Sequence, residues 1–409
     1  MKLYKEYIED GTSFVKISPS SINPDHLINF ALYERLPSEK EGNYRYRCLL
    51  TDADSIPRER LVELLKSWDE VYIHKRQKSS YNRHVKDNLE YILKHEDIST
   101  KEKTGTLAGI STDLIKEAFD TNFGTRGISA ETMRKIEKLV ADAIEFISGI
   151  HSLDGLADLI GHDYDTHSHS VKVGWLTATF INANQDLFDA GSRSELKDLL
   201  VKATVSGFLH DIGKIKIPGN ILNKKGKLNN LEYVTIQAHT AYSMSLLFES
   251  SLPRPFLQAI LYHHENEDGS GYPCGIQGDE IPVLAKICHI ADVFDALTSR
   301  RPYKKAKSPY EALSIMTGIN PSVDTLRKFE KEARENISVP LTAISKDIEN
   351  HKLRRLREKE MLEQEAQKRV EARVRLRDRG MSHCFDPDIL KRFIVTINKS
   401  ESFDLTGLL

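Results

Sequence analysis

An adjacent histidine and aspartate mark the stretch with the clearest chemical character. His210 and Asp211 end an apolar helical run, and Lys214 follows about one helical turn later. Neutral imidazole and ionised carboxylate bind divalent metals, and a carboxylate can bridge two of them. Lys214 can place a positive charge on a phosphate oxygen. The stretch indicates metal-assisted phosphate chemistry, and the alternative is a polar helix end beside a solvated lysine.

Further candidate metal ligands recur on separate segments with helical character. They are His169, His239, His263, His264 and Asp292. Helical bundles build metal sites from ligands on several helices that face one cavity. Adjacent residues on a helix point roughly 100° apart. His263 and His264 can therefore both be ligands only if more than one metal lies between the helices. Mixed imidazole and carboxylate ligands favour iron or manganese, with zinc, cobalt, nickel or magnesium as substitutes.

Composition limits the classes of protein to consider. A length of 409 residues predicts two or three domains, and 40% hydrophobic with 29% charged residues indicates a soluble protein with real cores. The formal charge of −2 gives no general attraction to nucleic acid or anionic membranes. The amino end lacks the apolar run of a signal peptide, and no stretch is long enough for a membrane span. Four scattered cysteines argue against a disulfide framework. These features predict a cytoplasmic protein without membrane insertion.

The sequence pattern predicts a multidomain fold. A small α+β module precedes an all-α helical bundle, which carries a long charged helical insertion. Residues 1–97 form the α+β sensory or regulatory module, 98–152 a helical connector, 153–317 the all-α domain, 318–379 the insertion, and 380–409 a C-terminal helix that completes the all-α domain. Within the module, residue types predict strands at 13–17, 27–33, 44–50 and 70–74 and helices at 56–68 and 80–93.

The insertion is rich in Lys, Arg and Glu, with a thin apolar stripe. We expect a solvated helix on the domain surface, and the alternative is a short coiled-coil contact. A homodimer could therefore form through the connector or the insertion. Interspersed acidic and basic residues argue against binding of polymeric nucleic acid.

An ordered set of motifs resembles the HD-GYP phosphodiesterase family. The resemblance runs from about residue 153 to 316, and Phe385-Asp386-Pro387 resembles the family's final helix. The motifs that carry it are His169-Ser170-Val171, His210-Asp211-Ile212-Gly213-Lys214, Ile221-Leu222-Asn223-Lys224 with Gly226-Lys227-Leu228, His239, His263-His264-Glu265, Asp268-Gly269-Ser270-Gly271-Tyr272-Pro273, Asp292-Val293-Phe294-Asp295-Ala296-Leu297-Thr298, and Arg301-Pro302-Tyr303-Lys304. The departures are Lys225, where proline is common in the family, and the insertion.

The resemblance implies hydrolysis of a cyclic dinucleotide second messenger by a metal-activated hydroxide. The expected reaction opens cyclic di-GMP to linear pGpG, with further cleavage to GMP left open. An alternative substrate is 3′,3′-cyclic GMP-AMP. An alternative of another class is a catalytically silent receptor that binds the dinucleotide and acts through helical interactions.

The resemblance also implies roles for individual residues. Asp211 and Lys214 are the expected catalytic residues, and Asp211 bridges the metals. The expected metal ligands are Asp165, His169, His210, Asp211, His239, His263, His264 and Asp292. The expected substrate-binding residues are Lys214, Asp268, Gly271, Tyr272, Arg301 and Lys304. Arg301 can grip phosphate in a fork, and Tyr272 either stacks on a base or serves as a structural anchor.

Asp165 decides whether two or three divalent metal ions are expected. It lies four residues before His169, so the two share a face if both are helical. A subset of the family with three metals carries a carboxylate at this position. Asp165 is therefore predicted to bind a third metal, and the alternative is a surface aspartate. The other histidines nearby, His162, His167 and His289, match no family ligand and are predicted to be bystanders.

Overall fold

The computed structural model divides into two compact units, Met1–Ile110 and Ser111–Leu409. It describes residues 6–9, 13–37, 44–51, 56–68, 70–121, 127–149, 151–159, 165–300, 305–318 and 381–399. Across those ranges, none of the helices combines the length and the apolar composition that spanning a membrane requires.

The first unit contains a five-stranded antiparallel sheet with the order β1-β4-β3-β5-β2. Its strands are β1 Glu6–Glu9, β2 Phe14–Ile17, β3 Leu32–Leu36, β4 Tyr44–Leu50 and β5 Val71–His74. The helices are α1 Arg58–Ser67, α2 Lys78–Asp87 and α3 Leu89–Lys94. Alternation along the strands separates an aliphatic core from an aromatic cluster in which Phe14 stacks on Tyr46.

Two predicted elements of this unit are wrong in detail. The strand predicted at 27–33 begins only at Leu32, because Ile28 and Phe30 fill the core from an irregular segment. The helix predicted at 80–93 is two helices that divide at Asn88. The Asn88 side chain donates to the His84 carbonyl, so it competes with the backbone for that acceptor.

In its described residues, the second unit is helical. Helix α4, Thr100–Thr121, begins in the first unit and ends in the second. The helices that follow it are α5 Ala130–Ile147, α6 His151–Leu159, α7 Thr166–Ala183, α8 Arg193–Leu209, α9 Gly219–Leu222, α10 Asn230–Gln237, α11 His239–Leu247, α12 Arg254–Tyr262, α13 Val283–Thr298, α14 Pro309–Thr317 and α15 Pro387–Ile397. A small α+β module followed by a mostly helical domain is therefore confirmed. The predicted domain bounds stay predictions, and the charged insertion lies outside the described residues except at Gly318.

Helix α7 forms the centre of this unit, and every residue from His169 to Ile181 is buried. It packs against α8 with almost no space between the backbones. A Cβ added to Gly207 would lie 2.5 Å from Gly174 Cα, and one added to Gly174 would lie 2.7 Å from Thr204 O. Because only glycine permits such an approach, this pair fixes α8 against α7 and holds its C-terminal end at a set position.

The final helix closes the other side of α7. Phe393 of α15 packs against Phe180 of α7 and Phe294 of α13, with ring centroids 6.3 Å and 5.3 Å apart. Lys286 of α13 donates to Asp386, the N-cap of α15, at 2.7 Å. A helix near the end of the described chain thus contributes directly to the core around α7 and α13.

Candidate metal centre

The candidate ligands come mostly from helix ends. His210 and Asp211 follow the last residue of α8, His239 opens α11, and His263 with His264 follows α12. His169 lies in the first turns of α7, and Asp292 lies inside α13. All are buried except His264, which keeps 22% of its side chain exposed.

These side chains form two adjoining groups. Asp211, His239, His263 and His264 form one, and His169, His210 and Asp292 form the other; within each group the ligand atoms lie within 4.8 Å of one another. Asp211 joins the two groups. Its Oδ1 lies 3.2 Å from His239 Nε2, and its Oδ2 lies 3.3 Å from His210 Nε2. This is the placement that a bridging carboxylate between two cations requires.

Three of the imidazoles are oriented by backbone carbonyls at the ends of helices. His210, His239 and His263 each direct Nδ1 to the carbonyl three residues earlier, at 2.7 Å in every case. A carbonyl only accepts, so Nδ1 carries the proton and Nε2 presents its lone pair to the cavity. The three carbonyls belong to the last turns of α8, α10 and α12, where carbonyl groups lack an intrahelical partner.

The donor atoms fit divalent cations. In the described part of the chain, the buried atoms His210 Nε2 and Asp211 Oδ1 make no hydrogen bond despite their close neighbours. Buried polar atoms rarely remain unsatisfied, so two such atoms at one point indicate a ligand. Neutral imidazole together with ionised carboxylate is the set that binds divalent metals.

Electrostatics favours these protonation states. Burial raises the pKa of the Asp211 carboxyl, but Lys214 and His210 outweigh burial and hold this pKa well below its usual range. Burial, reinforced by neighbouring histidines, holds the pKa of His263 well below its usual value and lowers the pKa of His264 to about 3. The histidine pair is thus neutral beside an ionised carboxylate.

The turn after Asp211 packs directly on α11. Gly213 donates its N–H to Ser243 Oγ at 2.8 Å, and a Cβ at this position would lie 2.0 Å from the carbonyl oxygen of His239. This close approach sets the distance between Asp211 and His239, which belong to the same group.

The loop after α12 is held by a buried carboxylate. Glu265 accepts from the backbone N–H groups of Cys274 at 2.6 Å and Gly275 at 3.0 Å. The Tyr272 ring lies 4.8 Å from the His264 ring, and the Tyr272–Pro273 peptide bond is cis. The loop therefore places an aromatic ring beside the exposed edge of the candidate metal centre.

Several predicted site residues have other contacts or lie elsewhere. Lys214 donates to Asp211 Oδ2 at 2.5 Å, and 18% of its side chain is exposed. Asp268 accepts from Ser270 N at 2.9 Å and forms a turn of the loop. Arg301 and Lys304 lie outside the described residues.

Asp165 belongs to neither group. Its backbone is extended, with φ −128° and ψ 134°, and its carboxylate caps α7 by accepting from Ser168 N. The premise that Asp165 and His169 share a helical face is therefore wrong, because α7 begins after Asp165. Asp165 Oδ1 lies 3.0 Å from His167 Nδ1. Its role as a ligand stays a prediction.

Sequence reasoning assigned no role to the residues that support the ligands. Asp295, Lys172 and Ser299 are buried around His169. Asp295 follows Asp292 by about one helical turn, and that spacing is the signal that could have identified it. His289, predicted to be a bystander, contacts the backbone of the site through Nδ1, 2.6 Å from His263 O.

Comparison with known proteins identifies the class of the helical unit. Residues 190–324 match the family model described as HD domain, so the chain contains an HD domain. The chain is similar to a cyclic di-GMP phosphodiesterase of Thermotoga maritima, with 37% identity over 178 residues that make up 42% of this chain and 46% of that protein.

Two relatives from Vibrio cholerae are named for a different substrate. A 3′3′-cGAMP-specific phosphodiesterase, numbered 3, is 43% identical over 27% of this chain and 24% of its own length. Another, numbered 1, is 36% identical over 41% of this chain and 38% of its own length. The chain thus spans less than half the length of the curated relatives it matches. The resemblance to HD-GYP phosphodiesterases is confirmed within the matching region.

We predict that Gly213→Ala disrupts the candidate metal centre. The added methyl would press on the His239 carbonyl and move α11 away from Asp211, at a cost of about 1–3 kcal/mol in the free energy of unfolding. The thermal midpoint should fall by several degrees, and bound metal measured by plasma mass spectrometry should decrease. Gly226→Ala is the control, because a Cβ there meets no atom within 4 Å. Equal midpoints and metal contents in the two variants would contradict this packing role.

Proposed function

We propose that the protein is a metal-dependent phosphodiesterase that hydrolyses a cyclic dinucleotide, opening cyclic di-GMP to linear pGpG. The observation that carries this proposal is the pair of adjoining ligand groups that share Asp211. Their donor set fits divalent cations, and the relatives that match this region are named as phosphodiesterases of cyclic dinucleotides.

In this proposal each group holds one divalent cation, with iron or manganese favoured by the mixed donors. His169, His210 and Asp292 hold the first, and His239, His263 and His264 hold the second, with Asp211 between them. Cations bound there would lower the pKa of water toward neutrality and polarise a phosphoryl oxygen. The residues themselves fix the donor geometry before substrate binds, because the imidazoles are held through Nδ1.

Lys214 has two tasks in the proposed reaction. It neutralises part of the buried charge of Asp211 through their ion pair. Its ammonium group has three protons and stays partly exposed, so it can also donate to a phosphate oxygen as negative charge develops there. The contact with Asp211 keeps the ammonium group at the edge of the ligand groups.

The loop after α12 forms the proposed substrate side of the centre. Tyr272 lies beside His264 and offers a ring face to a base, while Gly271 lets the loop pack on the backbone that follows α12, because a Cβ there would lie 2.3 Å from Asn266 N. Asp268 fixes the turn before it. Arg301 and Lys304 remain proposed phosphate contacts on the strength of the motif alone.

A parallel assay of two dinucleotides tests the proposed activity. Purified protein with Mn²⁺ or Fe²⁺ should convert cyclic di-GMP to pGpG, and chromatography of the products shows whether GMP follows. His210→Ala and Asp211→Ala should lose both bound metal and turnover. Normal turnover in either variant would contradict the assignment of these residues.

The same assay separates the alternatives. Faster hydrolysis of 3′,3′-cyclic GMP-AMP would assign that substrate, in line with the names of the Vibrio cholerae relatives. Binding of a dinucleotide with no turnover under any of the metals would favour a catalytically silent receptor. The intact set of buried ligands supports the enzyme over the receptor, since a receptor has no need of a water-activating centre.

We predict that Lys214→Ala keeps its metals but lowers kcat by about 100-fold, because it removes a charge that acts on the transition state. Steady-state kinetics and metal analysis of the same preparation measure both effects. Lys202→Ala is the matched control, because Lys202 also pairs with an aspartate, Asp198, on the surface of α8. An unchanged kcat in Lys214→Ala would show that the lysine acts only on folding or on Asp211.

The proposal of a third metal at Asp165 has its own test. If Asp165 is a ligand, Asp165→Ala should bind one metal fewer than the unmodified protein. If the carboxylate only caps α7, the metal count should stay the same while the thermal midpoint falls, since loss of a cap costs about 1 kcal/mol. Ser192→Ala, which removes the corresponding cap of α8, is the control for a capping effect alone.

A further inference from the structure

His169 is oriented by a different kind of partner from the three histidines that use backbone carbonyls. Its Nδ1 lies 2.7 Å from Asp295 Oδ2, a carboxylate oxygen on α13. Its Nε2 lies 3.0 Å from Asp292 Oδ1, within the group formed with His210 and Asp292. A carboxylate acceptor makes an imidazole a stronger ligand than a carbonyl acceptor does, because it stabilises positive charge that moves onto the ring.

Asp295 is embedded in a closed network of buried polar groups. Lys172 Nζ lies 2.8 Å from Asp295 Oδ1 and 2.7 Å from Ser299 Oγ, and Ser299 donates to Asp295 Oδ2 at 3.1 Å. Lys172, Asp295 and Ser299 are each at most 3% exposed. The lysine neutralises the aspartate inside the core, and both oxygens of the aspartate have partners.

Such a network is not needed for stability alone. Removing two charges from water costs several kcal/mol per ion, and an apolar pair of the same volume is often as stable or more so. The charged pair does supply one thing an apolar pair cannot, which is a fixed anion at His169 Nδ1. The main role of Lys172 and Asp295 is therefore to support His169 as a ligand, and the packing of α7 on α13 is secondary.

We infer that Asp295 is a positioning residue that strengthens cation binding by the group of His169, His210 and Asp292, and that the two groups therefore differ in affinity. This inference rests on the proposed metal centre and adds an order of binding to it. In the other group, His239 and His263 direct Nδ1 to backbone carbonyls. His264 Nδ1 lies 3.7 Å from Asp292 Oδ2, a distance too long for a hydrogen bond. The cation held by His169 should therefore be the one that depends on Asp295.

The test is a double substitution, Asp295→Asn with Lys172→Met, which removes the anion without leaving a buried charge unpaired. Mn²⁺ is added to the metal-free full chain, and the EPR signal of the free ion gives the number and affinity of the bound ions. We expect one of the ions to bind about 10–100-fold more weakly and the other to keep its affinity. Turnover should recover as the Mn²⁺ concentration is raised by a similar factor.

The control breaks a less buried ion pair that also involves a lysine of α13. Lys286 contacts Asp386 at 2.7 Å and Glu267 at 3.0 Å, and none of the three is a candidate ligand. Asp386→Asn with Lys286→Met should lower the thermal midpoint of the metal-free protein while both ions keep their affinities. The single Asp295→Asn variant, which has nearly the native shape, gives the same test if the double variant does not fold.

The outcomes separate this inference from the proposed function. Two ions with unmodified affinity in the Asp295 variants would overturn the positioning role and leave the metal centre standing. Equal weakening of both ions, matched by the Lys286 control, would also overturn it, because the effect would then be one of general stability. An unmodified protein that binds no Mn²⁺ would overturn the metal centre and the inference together.

Discussion

The buried carboxylate of Asp211 is the constraint on which the rest of the helical unit depends. An ionised carboxylate with 1% of its side chain exposed is too costly to keep without compensation. Lys214 provides part of this compensation, and cations between the two groups would provide the rest. The protein must therefore bring several helix ends to one point and hold them there.

Close backbone contacts meet this demand. The glycine pair of α7 and α8 sets where α8 ends, and so where His210 and Asp211 begin. Gly213 then lets α11 approach until His239 reaches Asp211. Neither contact involves a ligand side chain, yet each determines a distance between ligands. Small residues at fixed positions are thus as necessary to the centre as the histidines.

The convergence of seven candidate ligands could be predicted from sequence, because their residue types are those that bind divalent metals. Imidazole and carboxylate are uncommon in buried helical segments, and their ordered motifs resemble one family. The elements around them were harder to predict. The prediction placed Asp165 on the same helical face as His169. Asp165 is instead the N-cap of α7, with an extended backbone, and the helix begins at the next residue. A cap and a ligand use the same residue type, and spacing alone does not separate them.

Supporting residues were harder still to predict. Asp295 follows Asp292 by one turn, but a second aspartate on a helix usually faces solvent. Lys172 looks like a surface lysine, and only the fold shows that it lies 2.8 Å from Asp295 in the core. These contacts join residues more than 120 positions apart, so local pattern does not show that Asp295 pairs with His169 or Lys172.

The position of each histidine along its helix explains why the two kinds of support exist. A histidine just beyond a helix finds, three residues back, a carbonyl that lacks an intrahelical partner, so the helix end orients the ring and satisfies its own acceptor. His210 and His263 use this arrangement.

His169 lies near the start of α7, where the preceding carbonyls already bond within the helix, so its Nδ1 needs an acceptor from elsewhere. A carboxylate on α13 fills that need, and its charge requires Lys172 in turn. The unequal support of the two groups thus follows from where the histidines lie on their helices.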